Sequence, residues 1–320
     1  MGDFFVEYMP KVLEVVVTPA LRSWKTDDQA LARNFLLSDS LLVDDLQIPV
    51  QKDDLPLLSK FLNRMPSIVV FNMVGLGSLS RDEFQEFDLE PTALPNLRSL
   101  RCPLGLLPSF LPGRPIRKLH IQDYAPRAVR RTFRHFEVDA PSLVAVKRTT
   151  CAIEELTVPM SIYDNVALED YFPTLKLLRI DDDRGLPLLI KSHNPEVDEL
   201  QCNCHQDDPD ESDRLGSYGL DLRKQRELLL QLQNAFPEVT KVAVTWSSIR
   251  WRRSDATSTD WRPFVADRDS LRTRLLMAVK YPELTPLRLV DEDGCIANVF
   301  RPDEMTPALH AMFQPAEQSQ

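Results

Sequence analysis

Apolar residues recur along this chain in one short frame, Pro-x-h-x-x-h-x-h, in which h is apolar. Seven copies are complete: Pro10-Val12-Val15-Val17, Pro66-Ile68-Phe71-Met73, Pro95-Leu97-Leu100-Cys102, Pro173-Leu175-Leu178-Ile180, Pro195-Val197-Leu200-Cys202, Pro237-Val239-Val242-Val244 and Pro282-Leu284-Leu287-Leu289. Three looser copies fill the gaps, Val43-Leu46-Ile48, Ile116-Leu119-Ile121 behind Pro115, and Ile153-Leu156-Val158. The last two apolar positions stand two apart, the spacing of inward residues on a half-buried strand, and the first sits where the chain turns into it. This is the L-x-x-L-x-L core of a leucine-rich repeat.

Successive first positions, 12, 43, 68, 97, 116, 153, 175, 197, 239 and 284, lie 19 to 45 residues apart. The shorter steps fit a repeat of about 20–29 residues and the longer ones imply insertions. Helical signals lie between the copies. Thr26-x-x-Gln29 and Ser80-x-x-Glu83 have capping-box spacing. Asp53 or Asp54 stands ready to cap Leu55–Asn63, Arg127–Phe136 is amphipathic, and Leu220–Phe236 and Ser270–Tyr281 are further helix candidates. Alternating strand and helix predicts an α/β fold, an irregular leucine-rich-repeat-like solenoid of roughly ten short parallel strands on a concave side with helices outside. The domain reading is one repeat domain over residues 1–313, with loop insertions near 203–217 and 247–263 and a disordered tail over 314–320.

Composition narrows the function. The 320 residues carry a formal net charge of −10, which disfavours nucleic acid and anionic membrane as partners of the whole surface. Proline is abundant at 25 and glycine scarce at 9, which suits fixed turns into short strands and argues against glycine-rich phosphate loops. Five scattered cysteines, two of them at apolar repeat positions, read as reduced thiols in a cytoplasmic or nuclear protein. No secretory leader is visible, and Val6 stands where a myristoylation signal needs Ser or Thr.

Neither a Walker loop nor Gly-x-Gly-x-x-Gly, His-Glu-x-x-His or Gly-x-Ser-x-Gly occurs. The expectation is therefore a protein that is not an enzyme, with no cofactor and no metal. One grouping resembles a metal site, Cys202-Asn203-Cys204-His205 with His193 upstream, but it lacks the second ligand pair that zinc sites use. A zinc-dependent enzyme built on it is the remote alternative.

Two surfaces stand out as binding candidates. Residues beside the inward pair face the opposite side of the strands. They place Asn72, Arg101, His120, Thr157, Arg179 and Gln201 in one strip with Lys118 next to it, a polar and locally basic groove suited to an acidic protein target. The second is Trp246, Trp251, Arg253 and Trp261, with Arg250, Arg252 and Arg262 interleaved. It reads either as a stacking surface or as an insertion pinned by its own aromatics.

The run Leu94-Pro95-Asn96-Leu97-Arg98-Ser99-Leu100, followed by Leu107-Pro108 and by Pro112-Gly113-Arg114-Pro115 leading into Ile116–Ile121, resembles the middle of fungal F-box/leucine-rich-repeat proteins. Phe172-Pro173-Thr174-Leu175-Lys176-Leu177-Leu178 and Phe236-Pro237-Glu238-Val239 are similar to the repeat openings of the same family, and the likeness covers about residues 40–290. The resemblance implies substrate recognition for a ubiquitin ligase, with the repeats holding a target and an F-box docking a Skp1-type adaptor. That helical module, normally opened by Leu-Pro ahead of the repeats, is not seen before Pro10–Val17, which already reads as repeat. The competing expectation is a stand-alone interaction scaffold.

Overall fold

Eight of the ten copies fall within the residues described by the computed structural model, which are 20–38, 42–74, 87–122, 140–182, 196–204, 222–244, 249–266 and 306–307. Each of the eight forms a strand, and its three apolar positions are buried, from Val43, Leu46 and Ile48 through Leu97, Leu100 and Cys102 to Val239, Val242 and Val244. The copies at Val12 and Leu284, and the helices expected over Arg127–Phe136 and Ser270–Tyr281, lie outside the described residues.

The chain divides into two compact units, Met1–Val166 with Asp170–Thr174, and Ala167–Glu169 with Leu175–Gln320. In the first, β1 (Ser23–Lys25), β2 (Asp45–Pro49), β3 (Val70–Val74), β4 (Ser99–Pro103), β5 (Lys118–Gln122) and β6 (Glu155–Pro159) lie side by side in chain order, every pair parallel. Repeat position meets repeat position: Leu46 stands opposite Phe71, Phe71 opposite Leu100, Leu100 opposite Leu119 and Leu119 opposite Leu156. A one-residue slip would turn every buried residue to the outer face, so burial itself fixes this register.

The second unit opens in the same way. β7 (Leu177–Asp182), β8 (Glu199–Cys204) and β9 (Lys241–Val244) are parallel, with Leu178 opposite Leu200 and Leu200 opposite Val242. Then the direction reverses, because β10 (Ile249–Arg252) and β11 (Arg262–Val265) are both antiparallel to their neighbours. The fold is thus α/β and mostly parallel, but the expectation of parallel strands throughout is corrected. Residues 247–263, expected to be a loop insertion, contribute β10 and the start of β11. Few residues separate β9 from β10, room for a hairpin return but not for the crossover that a parallel neighbour needs.

A backbone device recurs at each parallel junction. The carbonyl just before one strand accepts two successive N–H groups leading into the next strand. Asp44 O accepts from Val69 and Val70 N at 2.8 and 2.9 Å, Arg98 O from Arg117 and Lys118 N at 2.9 and 3.0 Å, and Lys176 O from Asp198 and Glu199 N at 2.9 and 3.0 Å. Arg22 O does the same for Asp44 and Asp45, which identifies β1 as a further degenerate copy carrying Trp24 at the inward position. β2, β4 and β6 each end on a proline (Pro49, Pro103, Pro159), which has no N–H to give to a ladder, as the chain turns into a helical segment.

The helices are short and cover the buried face. α1 (Gln29–Leu36) is capped by Asp28, whose side chain accepts from Leu31 N, rather than by Thr26 as its spacing suggested. α2 (Leu55–Leu62) follows a 3-10 turn over Lys52–Asp54, where Gln51 and Asp54 form the reciprocal box. α3 (Leu107–Phe110), α4 (Ala140–Val144) and α5 (Met160–Asn165) complete the first unit, and α6 (Leu222–Ala235) serves the second. Aromatic rings join helices to strands in the first unit. Trp24 stacks on Phe35 at 4.8 Å, and Phe110 meets Phe71 at 5.6 Å and Phe87 at 5.3 Å.

Candidate functional site

Strand alternation that buries one set of residues must present the other, so the candidate surfaces are the outer faces of the two units. In the first unit the register lines up Gln47, Asn72, Arg101, His120 and Thr157 across β2 to β6. Asn72, Arg101, His120 and Thr157 are therefore brought together as expected, with Lys118 in the neighbouring row. They are less exposed than a free groove implies: Asn72, Arg101 and His120 are half-buried and Thr157 is buried. Nor is the row strongly basic. Lys118 Nζ lies 2.7 Å from the carboxylate of Glu155, its direct cross-strand partner, and Lys25 Nζ lies 2.6 Å from Asp45. Among the described residues Arg101 has no carboxylate partner and its Nε has no hydrogen-bond partner; the latter holds also for Gln122 Oε1, two residues beyond His120 on β5.

Arg179 and Gln201 belong to the second unit, where they stand directly opposite each other. Arg179 Nε donates to Gln201 Oε1 at 2.8 Å, Gln201 Nε2 donates to Glu199 Oε1 at 2.6 Å, and Arg250 Nη1 lies 3.5 Å from the same carboxylate oxygen. One buffered acid thus ties two arginines to one glutamine, leaving Gln201 buried and Arg179 half-buried where exposure was expected.

Trp251 and Trp261, two members of the second candidate group, point inward. Trp251 is buried and donates from Nε1 to Gln225 of α6 at 2.7 Å, while Trp261 Nε1 donates to Gln233 of the same helix at 3.1 Å. Arg253 lies over the Trp261 ring at 5.1 Å and donates to the carbonyls of Val239 (2.7 Å), Ser258 (3.2 Å) and Pro237. Burial pulls its guanidinium below the ordinary arginine value, while Asp255 and Glu238 push it back up. These residues pin the segment to its own unit. Trp246 lies outside the described residues.

Arg253 has a counterpart in the first unit. Arg114 is almost fully buried and donates to the carbonyls of Ala93 (2.9 Å), Glu90 (2.9 Å), Ser109 (2.9 Å), Pro112 (3.1 Å) and Phe110 (3.2 Å). It braces a loop that passes through Leu94 in the left-handed region, with φ of 55°. Burial lowers its guanidinium value as well. The signal in the sequence is an arginine between Gly113 and Pro115, inside a turn where a solvated charge gains nothing.

The metal-like grouping is only partly described. Cys202 is buried at its repeat position, Cys204 ends β8, and His193 and His205 lie outside the described residues. Among the described residues no group of three or more His, Cys, Asp and Glu side chains could hold a metal ion. Cys102, Cys151 and Cys202 are unbridged, and burial pushes the Cys102 thiol far up, which suppresses the reactive thiolate. No helix among the described residues is long and apolar enough to cross a membrane. No family model matches the chain, and no curated protein matches it.

Proposed function

We propose that this chain is a repeat-built, leucine-rich-repeat-like solenoid that binds protein targets through the outer faces of its strands, and that it is not an enzyme. The observation that carries this reading is the register. Strands from one sequence frame stack position on position, bury one side completely, and keep a polar, patterned side opposite. Such arrays make extended binding surfaces in place of closed pockets. In the setting implied by the likeness to F-box/leucine-rich-repeat proteins, the chain recognises a substrate for a ubiquitin ligase in the cytoplasm or nucleus. The Asn72–Arg101–His120–Thr157 row is a contact surface in the first unit, and Arg179 with Gln201 is one in the second.

Affinity capture from a native lysate tests the reading. A Skp1-type adaptor co-purifying with the chain supports ligase recruitment, and target proteins without that adaptor identify a stand-alone scaffold. A wild-type chain that captures no protein defeats the binding reading itself. Zinc found at one equivalent in purified protein would instead revive hydrolytic chemistry at Cys204, His205 and His193.

A further inference from the structure

We propose that the antiparallel end of the second unit, the outer face of β9, β10 and β11, is the docking surface for an acidic segment of a protein partner. This rests on the protein-binding reading above and names where in that unit the partner's charge goes. The register places Lys241, Arg252 and Arg262 in one row across the three strands, since Lys241 stands opposite Arg252 and Arg252 opposite Arg262. Arg250 and Phe264, directly paired, occupy the next row. Like charges facing each other across neighbouring strands oppose pairing, whereas opposite charges there support it. The first unit follows the favourable rule with Lys118 against Glu155. The second unit breaks it twice in succession.

The nearby acids cancel the row only in part. Glu199 stands opposite Lys241, but its carboxylate is engaged by Gln201 and Arg250. Asp260 pairs with Arg262 at 2.8 Å, both groups being well exposed. Among the described residues neither Lys241 nor Arg252 has a carboxylate partner, and both are exposed. Arg252 lies over the Phe264 ring at 5.4 Å, and a guanidinium placed over a ring can still give its edge N–H donors to a bidentate carboxylate. The half-buried ring beside it provides apolar contact for a neighbouring side chain. A chain with net charge −10 repels a long polyanion as a whole, so a short acidic stretch with an apolar residue fits this patch better than nucleic acid does.

The test is fluorescence anisotropy on the full chain with three labelled probes: a peptide of Asp and Glu around a central Phe, its Asn/Gln twin, and a single-stranded oligonucleotide of similar length. The acidic peptide is expected to bind. The neutral twin and the double variant Lys241→Glu/Arg252→Glu each lose roughly tenfold in affinity, about what two partly exposed ion pairs provide. Both effects shrink as salt rises. Lys118→Glu in the first unit leaves peptide affinity unchanged. Circular dichroism and the melting temperature of the double variant stay at the wild-type values, so a loss reports contact and not unfolding. The proposal is overturned if the acidic peptide fails to bind, if the double charge reversal leaves its affinity intact, or if the oligonucleotide binds more tightly. Lysate capture separates this from the parent reading: partners that survive Lys241→Glu/Arg252→Glu and are lost with Arg101→Glu sink this surface while protein binding stands.

Discussion

The two units are alike inside and unlike outside. Their inward positions are interchangeable, as in Leu100 and Leu119 of the first and Leu178 and Leu200 of the second, all buried and all in matching parallel register. Their outer faces differ. The first sets opposite charges against each other, Lys25 with Asp45 and Lys118 with Glu155. The second ends in an antiparallel turn-back where Arg250 and Arg262 pair with Glu199 and Asp260, while Lys241 and Arg252 face each other with no carboxylate partner among the described residues. A repeat constrains only the residues that stacking must bury. The rest of each copy is free to diverge, and it is there that one unit acquires a charge character the other lacks.

The deepest test of the internal likeness is the pair of buried arginines. Arg114 satisfies five backbone carbonyls and Arg253 three. Hydrogen bonds to a charged donor contribute about 1.5–3 kcal/mol each and do not add. Arg114→Ala is expected to cost about 3–5 kcal/mol, because it strands a set of buried acceptors. Arg253→Ala, with fewer carbonyls and a loop closer to solvent, is expected to cost about 2–3 kcal/mol. Urea denaturation of both variants measures the difference. Equal losses would mean the two arginines brace their loops to the same degree, erasing this contrast between the units.

Leucine truncation probes the same likeness from the packing side. Leu119→Ala and Leu200→Ala each remove a fully packed side chain at the same repeat position. Each is expected to cost about 2–5 kcal/mol, the two agreeing to within about 1 kcal/mol if the interiors are equivalent. A much smaller loss at Leu200 would show that the second unit relaxes around the cavity and that its register is held by something other than apolar packing.

How far the sequence reveals all this follows from the same division. The inward frame was legible because burial demands apolar residues at fixed spacing, and burial is strong enough to override local propensity. β1 escaped the frame because Thr26 stands where the last apolar residue should be. β10 escaped because no proline precedes Ile249, although Ile249-Arg250-Trp251-Arg252 alternates as a half-buried strand must. Its direction was not legible at all, since antiparallel and parallel strands bury the same alternation. The outer strip was legible as a set of positions, Asn72, Arg101, His120 and Thr157 among them, but not as a charge distribution. Whether a lysine is spent depends on which residue stands across from it, and that pairing is a property of register. The bracing roles of Arg114 and Arg253 were not legible, because nothing local shows how many carbonyls converge on them.

A smaller effect measures how well charge is cancelled on the first unit's face. Lys118 and Glu155 are partly exposed, with side-chain exposures of 58% and 31%. A double-mutant cycle with Lys118→Met and Glu155→Gln should give a coupling of about 0.2–1 kcal/mol that falls with added salt. A coupling near zero at low salt would mean that Lys118 is effectively free. The first face would then be as basic as the second, and the contrast that assigns the acidic partner to β9–β11 would vanish.

The smallest expected effect lies in the turn that makes the second unit different. Asp255 shapes the chain between β10 and β11. Its side chain accepts from Thr257 Oγ1 at 2.6 Å, Thr257 N at 2.9 Å, Ser258 N at 3.0 Å and Ser254 Oγ at 3.0 Å. These bonds, the Thr257 hydroxyl foremost, hold its carboxyl below the ordinary aspartate value. They also set the position of Ser258, whose carbonyl Arg253 grips from below. A carboxyl with a depressed value in the folded state stabilises it above the unfolded value, near pH 4, and that contribution disappears as pH falls through the folded value. Asp255→Asn keeps an acceptor but no charge, so its melting temperature should fall below wild type at neutral pH, and the gap should close as pH drops under about 4. Arg253 stays charged throughout, so it does not produce the convergence. A gap that persists unchanged at pH 3 would mean that the turn depends on the shape of the Asp255 side chain and not on its charge. The reversal into β10 and β11 would then owe nothing to pH, and its basic face would be presented equally in acid and at neutrality.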